Sequence, residues 1–227
     1  MVETFAIQIL SENKFLDLKE KMLSFLDSER RDRILRFRFQ EDAQRSLLGD
    51  IMVRSIISKK LNLKNKQITF NLSDKGKPSI VGHPNLFFNI SHAGTWVVAA
   101  FSDYEVGIDV ELIKKINYNV SDIFYSEEEN KALNKLRGKK KLEYFFDLWT
   151  MKESYLKYTG KGLSEPLNSF TVVKSENKFT LSHKSINKNV FLKQYDLEKG
   201  YKLAVCSEVD DFNENLSLTS VEECLKG

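Results

Sequence analysis

The chain has 227 residues, and a hydrophobic content of 41% is enough to build packed cores. Its 35 basic and 32 acidic residues leave a net charge of only +3, which argues against bulk binding of nucleic acid. Two distant cysteines, Cys206 and Cys224, form no CxxC pair, so neither a disulfide scaffold nor a zinc site is expected.

The N-terminus is predicted to begin with a β-strand. Residues 1–10 alternate between apolar and polar side chains and lack the basic segment of a signal peptide. The longest unbroken apolar run, residues 96–101, is too short to span a bilayer. These features predict a soluble, cytoplasmic protein with no membrane attachment.

Helices dominate the first part of the chain and strands the next. Helical spacing predicts helices over residues 15–26, 28–35 and about 41–61, with Ser28 as the N-cap of the second. Strand-like runs follow at residues 67–71, 86–91, 95–102 and 106–111. Gly and Pro punctuate turns at residues 74–78 and 92–94.

The second part repeats this scheme. Ser126 and Glu129 form a capping-box pattern that opens a helix to about residue 136. A basic break precedes a long helix over 142–158, and strands follow at 169–174, 190–196 and 201–207. The last strand resembles residues 96–102 position by position, which suggests a duplication. We therefore predict two α+β halves, residues 1–105 and 106–227, with a ligand cleft where they join.

Two carboxylates of the strand over 106–111 point the same way. Asp109 and Glu111 stand at i and i+2, a spacing that places both side chains on one face of a strand. The alternate residues are apolar, as in a strand whose other face is buried, and Gly107 permits close approach of another backbone. A polar solvent face is the alternative.

A third carboxylate lies on the predicted helix over 142–158. Glu153 and Lys157 are one turn apart, a spacing that is also typical of a surface ion pair. With Asp109 and Glu111, Glu153 would complete a set of hard oxygen ligands suited to Mg²⁺. Lys157 beside these acids fits phosphate chemistry.

Two short motifs offer groups that hold phosphate. Ser91 and His92, followed by Gly94, supply a hydroxyl, an imidazole and backbone N–H groups at a strand end. Lys77 stands in a rigid Gly-Lys-Pro turn with Pro78. Ordinary loops contain both patterns, and nothing resembles a nucleophile elbow, so a hydrolase triad is not favoured.

The densest positive charge lies between residues 30 and 45. Its arginines are Arg30, Arg31, Arg33, Arg36, Arg38 and Arg45. Aromatic residues between them are typical of nucleic-acid contact, but four nearby acids dilute the field. A site for one or two phosphates suits this mixture, and a solvated helix face is the alternative.

The motifs together resemble a known family, the Sfp-type 4′-phosphopantetheinyl transferases. The resemblance covers essentially the whole chain, in order and with similar spacing. It is carried by Gly76–Pro78, Asn89–His92, Gly107–Glu111 and Trp149–Lys157, and extends through Phe39–Asp50 and Gly160–Leu163. It implies an α+β fold of two pseudo-symmetric halves, with coenzyme A bound between them.

The resemblance also implies roles for the candidate residues. The metal ligands would be Asp109, Glu111 and Glu153 for Mg²⁺, with Mn²⁺ as the alternative ion. The residues that bind coenzyme A would be Ser91, His92, Lys157, Lys77, Pro78, Arg30, Arg33, Arg38 and Ser46. Arg30 and Arg33 stand where relatives carry lysines that contact the 3′-phosphate, and the two side chains are not interchangeable.

The reaction implied is transfer of 4′-phosphopantetheine from coenzyme A to a serine of an apo carrier protein, with release of adenosine 3′,5′-bisphosphate. Glu153, directly or through a water, is the candidate base, and Glu129 is the second candidate. Lys157 and His92 would assist, and the carrier would dock around residues 160–170. We expect a monomer, acting in fatty-acid, polyketide or nonribosomal-peptide synthesis, including antibiotic biosynthesis.

Two other functions compete with this one. The first is a non-catalytic sensor of coenzyme A or a nucleotide on the same scaffold, although no acid of the set is missing. The second is a nucleic-acid-binding module that uses the arginines between residues 30 and 45.

Overall fold

The protein is described by a computed structural model that covers residues 1–175, 178–183 and 190–226. Its helices are α1 (Glu12–Leu23), α2 (Ser28–Leu35), α3 (Gln40–Leu61), α4 (Ser121–Phe124), α5 (Glu127–Asn134), α6 (Gly138–Thr159) and α7 (Val221–Cys224). Its strands are β1 (Glu3–Gln8), β2 (Phe70–Leu72), β3 (Pro78–Ile80), β4 (Phe87–Ala93), β5 (Trp96–Ser102), β6 (Val106–Leu112), β7 (Phe170–Ser175), β8 (Lys178–His183), β9 (Phe191–Tyr195), β10 (Tyr201–Ser207) and β11 (Ser217–Leu218).

Two sheets with the same internal order confirm the predicted α+β fold of pseudo-symmetric halves. The first sheet runs β11-β1-β5-β4 and the second runs β6-β10-β9-β8-β7. In both, the first strand of the half pairs antiparallel with the last, which pairs in turn with the strand before it. The two similar segments of the sequence are β5 and β10, which occupy equivalent interior positions.

The core between the sheets follows from alternation along the strands. Every residue of β5 is buried, because Trp96, Val98 and Ala100 face the second sheet while the alternate residues face the helices of the first half. On β6 the apolar side chains join the same inter-sheet cluster. Asp109 and Glu111 therefore lie on the opposite face of β6, where α6 packs.

Several element bounds differ from the sequence predictions. Asp27, not Ser28, caps α2, because its side chain accepts a hydrogen bond from Arg30 N at 2.8 Å. Helix α6 begins at Gly138, so the basic residues 137–141 belong to its start rather than to a break. Residues 65–67 form a 3₁₀ turn instead of opening a strand, and β3 and β8 were not predicted. The capping box of Ser126 and Glu129 is confirmed.

The last described residues return to the first half. Strand β11 pairs parallel with β1, and α7 packs against α3. The division of the chain at residue 105 stays a prediction.

Cys206 and Cys224 are both free and buried. Among the helices that the structure describes, none combines the length and apolar character needed to cross a bilayer.

Candidate active site

The two halves meet where side chains of β4 satisfy the backbone of β6. Ile108 N donates to Asn89 Oδ1 at 3.0 Å, and Val110 N donates to Ser91 Oγ at 3.3 Å. All four residues have little exposure, and buried backbone N–H groups need such partners. Residues of the Asn-Ile-Ser-His motif thus tie the predicted carboxylate strand to the first sheet.

Gly107 lets α6 lie directly on β6. A Cβ atom on Gly107 would come within 2.0 Å of Ser154 O and 2.3 Å of Tyr158 N, so no larger residue fits without moving the helix. The predicted close approach of another backbone at this glycine is confirmed. This contact sets how closely the side chains of Glu153 and Lys157 approach Asp109.

A lysine, a serine and an aspartate form the centre of the site. Lys157 Nζ lies 2.7 Å from Asp109 Oδ1 and 2.8 Å from Ser91 Oγ, and the serine hydroxyl donates to the same carboxylate oxygen at 3.0 Å. Burial raises the pKa of Asp109, and Lys157 acts against that rise. The other oxygen, Asp109 Oδ2, is buried and has no hydrogen-bond partner among the described residues.

Glu111 and Glu153 line the same cleft beside Asp109. Glu111 Oε1 accepts a hydrogen bond from Trp149 Nε1 at 3.1 Å. Burial raises the pKa of both glutamates, and the Asp109 carboxylate raises each further. The negative charge of Asp109 thus disfavours the charged form of both glutamates, a condition that a cation relieves.

The donor set fits a hard divalent cation in its chemistry. Three carboxylates in one cleft and an unpaired buried oxygen on Asp109 are what Mg²⁺ coordination requires. Among the described residues, however, no three acidic, histidine or cysteine side chains are already arranged as a metal cage. Lys157 contacts Asp109 Oδ1, so Oδ2 is the oxygen that remains for an ion.

The cleft continues from Glu153 and Lys157 towards α2 and α3. This part, about 390 Å³, is lined by several predicted residues: Arg30, Ser46, Lys77, Pro78, His92, Glu153 and Lys157. Lys77 Nζ donates to Glu105 Oε2 at 2.5 Å and to Tyr158 O at 2.9 Å. The Gly-Lys-Pro turn is thereby held against the C-terminal end of α6, and the same cation reaches the cleft.

Three predicted residues do not lie in the cleft. Arg33 and Arg38 are exposed and do not line it, and the Arg38 guanidinium lies over the Phe39 ring at 5.3 Å. Glu129 is 1% exposed and fully occupied, since its carboxylate accepts from Val172 N at 2.6 Å and pairs with Lys152 Nζ at 2.8 Å. Glu129 therefore stabilises the second half, and we withdraw it as a base.

Arg45 lines the cleft, although the sequence placed it only within the arginine-rich stretch. Its guanidinium donates to Gly94 O at 2.7 Å and to Asp42 Oδ1 at 2.5 Å, so it holds the turn after β4. Burial lowers the pKa of His92, and the positive charges of Arg45 and Lys157 lower it further. His92 is therefore neutral at neutral pH. No local pattern marks Arg45, because the contact spans 49 residues.

A buried lysine anchors the backbone of the segment that follows α6. Lys152 Nζ donates to Leu167 O at 2.7 Å and to Phe170 O at 2.6 Å, and the side chain is not exposed at all. Lys152 is therefore a buried structural contact of this segment. Lys161, by contrast, is exposed and pairs with Glu165 at 3.3 Å.

Comparisons with known proteins give one consistent result. A family model described as 4′-phosphopantetheinyl transferase, N-terminal, matches residues 16–103. A second, described as 4′-phosphopantetheinyl transferase superfamily, matches residues 105–206.

Two relatives match over most of their own length. The chain is 39% identical over 207 residues to the 4′-phosphopantetheinyl transferase ffp of Bacillus subtilis. It is 40% identical over 207 residues to the 4′-phosphopantetheinyl transferase Sfp of Bacillus subtilis strain 168. Each match covers 91% of this chain and 92% of the relative. A crystal structure of a holo-(acyl-carrier-protein) synthase from Bacillus anthracis in complex with CoA (3′,5′-ADP) is 22% identical, with a TM-score of 0.42, over 46% of this chain and 94% of that one.

Proposed function

Because the chain belongs to the 4′-phosphopantetheinyl transferase family, we propose that it moves 4′-phosphopantetheine from coenzyme A to a serine of an apo carrier protein. The observation that carries the proposal is the contact of Lys157 with Asp109 and Ser91, beside Glu111 and Glu153, where the two halves join. These are the groups that phosphoryl transfer requires: cationic donors for phosphate oxygens and carboxylates for a divalent ion.

In the proposed reaction the carrier serine oxygen attacks the pyrophosphate phosphorus that bears the pantetheine arm. The new P–O bond forms as the bond to adenosine 3′,5′-bisphosphate breaks, and the serine proton passes to Glu153 or to a water held by it. Glu153 lines the cleft beside Lys157, so its carboxylate, or a water that it holds, is placed to accept this proton. Lys157 and neutral His92 donate hydrogen bonds to the phosphate oxygens.

Asp109, Glu111 and Glu153 would hold Mg²⁺ in this proposal. The chemistry supplied by the bound ion would be neutralisation of charge on the pyrophosphate. Lys157 would bind a phosphate oxygen with the N–H donor that its contacts with Asp109 and Ser91 leave, because one ammonium has three donors. Asp109 would keep the hydrogen bond from Ser91, which holds the carboxylate in place.

Residues 160–170 are the proposed docking segment for the carrier. Lys161 is 56% exposed there, and the segment begins at the end of the cleft, where Gly160 and Gly162 line it. Carriers of fatty-acid, polyketide and nonribosomal-peptide synthesis are all candidate acceptors within the proposal. A cytoplasmic location and a monomeric state are also part of the proposal.

Mass spectrometry of apo carrier proteins tests the transfer. Several acyl and peptidyl carriers are incubated with the protein, coenzyme A and Mg²⁺. The expected result is a mass increase of one phosphopantetheine group on the carrier serine. A serine-to-alanine carrier is the control and should gain no mass. If coenzyme A binds but no carrier is modified, the sensor function is correct instead.

Nucleic-acid binding is not favoured by the arrangement of the arginines. Arg30, Arg31 and Arg45 are paired with the acids Asp50, Glu20 and Asp42 at 2.5–3.2 Å. Paired arginines present a weaker positive field than the sequence suggests, so we do not propose a nucleic-acid partner.

A further inference from the structure

Arg30 is held in the cleft by two residues of a neighbouring helix. Its Nε donates to Asp50 Oδ2 at 2.7 Å, and its Nη2 donates to Ser46 Oγ at 2.9 Å. Ser46 and Asp50 are one turn apart on α3, so their side chains lie on the same face. Arg30 comes from the first turn of α2 and reaches across to that face.

The arrangement leaves much of the guanidinium for a ligand. Arginine has five N–H donors, and the described contacts of this side chain use two of them. Arg30, Ser46 and Asp50 all line the cleft. The Asp50 side chain is only 17% exposed, and buried Arg54 contributes a second positive charge beside it.

A lysine in place of Arg30 would bind differently. An ammonium group is a compact charge with rotating donors, whereas a guanidinium binds phosphate best when its plane is fixed. A residue that fixes the plane at Nε reduces the rotamer freedom that Arg30 would otherwise lose on binding. Asp50 makes that contact from the next helix.

We propose that Asp50 is a positioning residue, which orients Arg30 to bind the 3′-phosphate of coenzyme A. The proposal rests on the proposed function and adds a residue to the recognition of its phosphomonoester. Asp50 carries the same sign of charge as the ligand, so its electrostatic effect alone would weaken binding. Its two effects have opposite signs, so the direction of the affinity change on removing Asp50 shows which of them is larger.

The test compares coenzyme A with 3′-dephospho-coenzyme A, which lacks the phosphate that Arg30 would hold. Calorimetry on Asp50→Ala should show coenzyme A binding weakened about tenfold, as expected for loss of one well-formed charged contact. Binding of the dephospho ligand should be unchanged, which also shows that the cleft is folded. Tighter binding of coenzyme A, or an equal loss for both ligands, would overturn the proposal.

A double-mutant cycle shows whether Asp50 acts through Arg30. In an Arg30→Ala background, Asp50→Ala should cause no further loss of coenzyme A affinity. A further loss of the same size would overturn the positioning role. If Asp50→Ala does not fold, Asp50→Leu replaces it, because leucine keeps the volume but offers Arg30 no acceptor, and a loss specific to coenzyme A is expected. Unchanged or tighter binding by that variant would contradict the proposal.

Glu20→Ala is the matched control. Glu20 pairs at 3.2 Å with Arg31, which, like Arg30, lies on α2. Glu20 does not line the cleft. This variant should bind both ligands as the wild type does. Failure of the proposed function has a different signature, because the wild-type protein would then bind neither ligand. Wild-type binding with no effect of Asp50→Ala rejects only the positioning role.

Discussion

At the scale of single residues, Asp109 has the most demanding position in the molecule. It is 4% exposed, it shares one oxygen between Ser91 and Lys157, and its other oxygen has no described partner. A buried carboxylate oxygen without a donor is costly, and protein structures seldom tolerate one without a role. Asp109 lines one cleft with Glu111 and Glu153, so this unpaired oxygen is the strongest structural argument for a metal there.

Removing one carboxylate of this group should weaken metal binding and remove most turnover. Asp109→Ala and Glu153→Gln should each reduce carrier modification by at least about tenfold, as is typical when support of a bound metal is lost. Calorimetric titration of Mg²⁺ or Mn²⁺ into the protein with coenzyme A should show weaker binding in both variants. Glu127→Gln, an exposed acid on α5, is the control. Full activity in excess EDTA would refute the metal assignment.

The charge state of His92 should depend on Arg45. Burial, Arg45 and Lys157 together depress the imidazole pKa below its ordinary value of 6.5. The ring therefore stays neutral as pH falls through 6.5 and gains its proton only at lower pH. NMR titration of the His92 ring protons should show this, and Arg45→Ala should move the pKa back towards 6.5. An unchanged pKa in Arg45→Ala would mean that the guanidinium does not act on the ring.

At the scale of elements, the contact of α6 with β6 positions the site. Three acids and a lysine come from these two elements alone, and their relative position depends on the absence of a side chain at Gly107. Helix packing against a strand normally leaves room for side chains between them. Here backbone meets the glycine directly, so Glu153 and Lys157 come within reach of Asp109.

Gly107→Ala should therefore affect both stability and activity. The added methyl group meets backbone atoms of Ser154 and Tyr158, which cannot turn away, so we expect a loss of about 1–3 kcal/mol in unfolding free energy. Turnover should fall as well, because α6 must move away from β6. Gly49→Ala is the stability control, since its Cβ would meet only Val97 and Ile90 at 3.5 and 3.6 Å. Chemical denaturation followed by circular dichroism measures the unfolding free energy of both variants.

The Lys152–Glu129 ion pair should act on folding rather than on chemistry. Both side chains are fully buried, so Lys152→Met leaves an uncompensated carboxylate and should cost about 3–5 kcal/mol. The double variant Lys152→Met/Glu129→Gln should recover part of that loss. Variants that remain folded should retain the kcat for a saturating carrier. A kcat loss in a Glu129→Gln protein of native stability would restore Glu129 as a candidate base.

At the scale of the whole molecule, the cleft depends on contacts between the halves that are distant in sequence. The β4 side chains Asn89 and Ser91 reach β6, and Lys77 reaches the end of α6 across 81 residues. The chain then returns to the first sheet through β11. Because both halves contribute to the cleft, neither alone would carry the complete set of groups.

Charge reversal at Lys161 tests the docking segment at this scale. Carrier proteins of this kind are typically acidic, so Lys161→Glu should raise the KM for the carrier several-fold and leave the KM for coenzyme A nearly unchanged. The effect should shrink at high salt, because rim charges are screened. Lys139→Glu is the control, because this lysine is even more exposed and lines no part of the cleft. An equal rise in both KM values would argue against docking at Lys161.

The sequence by itself determined the face on which the key side chains lie. Strand alternation placed Asp109 and Glu111 together, and helical spacing placed Glu153 and Lys157 on one face of α6. The capping box of Ser126 and Glu129 was equally readable, because it is closed within three residues. Local geometry dictates such relations whatever the rest of the fold does.

Only the tertiary structure decided which of these residues meet. Arg30 and Arg33 are equivalent as arginines of the same basic segment of the sequence. Of these two, Arg30 alone contacts Asp50 and Ser46 and lines the cleft. Lys152 and Glu153 are neighbours, but one is buried beneath residues 167–170 and the other lines the cleft. Side chains at adjacent helix positions point to different sides of the helix. The elements that pack on each side lie tens of residues away in the sequence. For that reason sequence reasoning proposed the acids but missed the contacts of Arg45 and Asp50 and the buried pairing of Glu129 with Lys152.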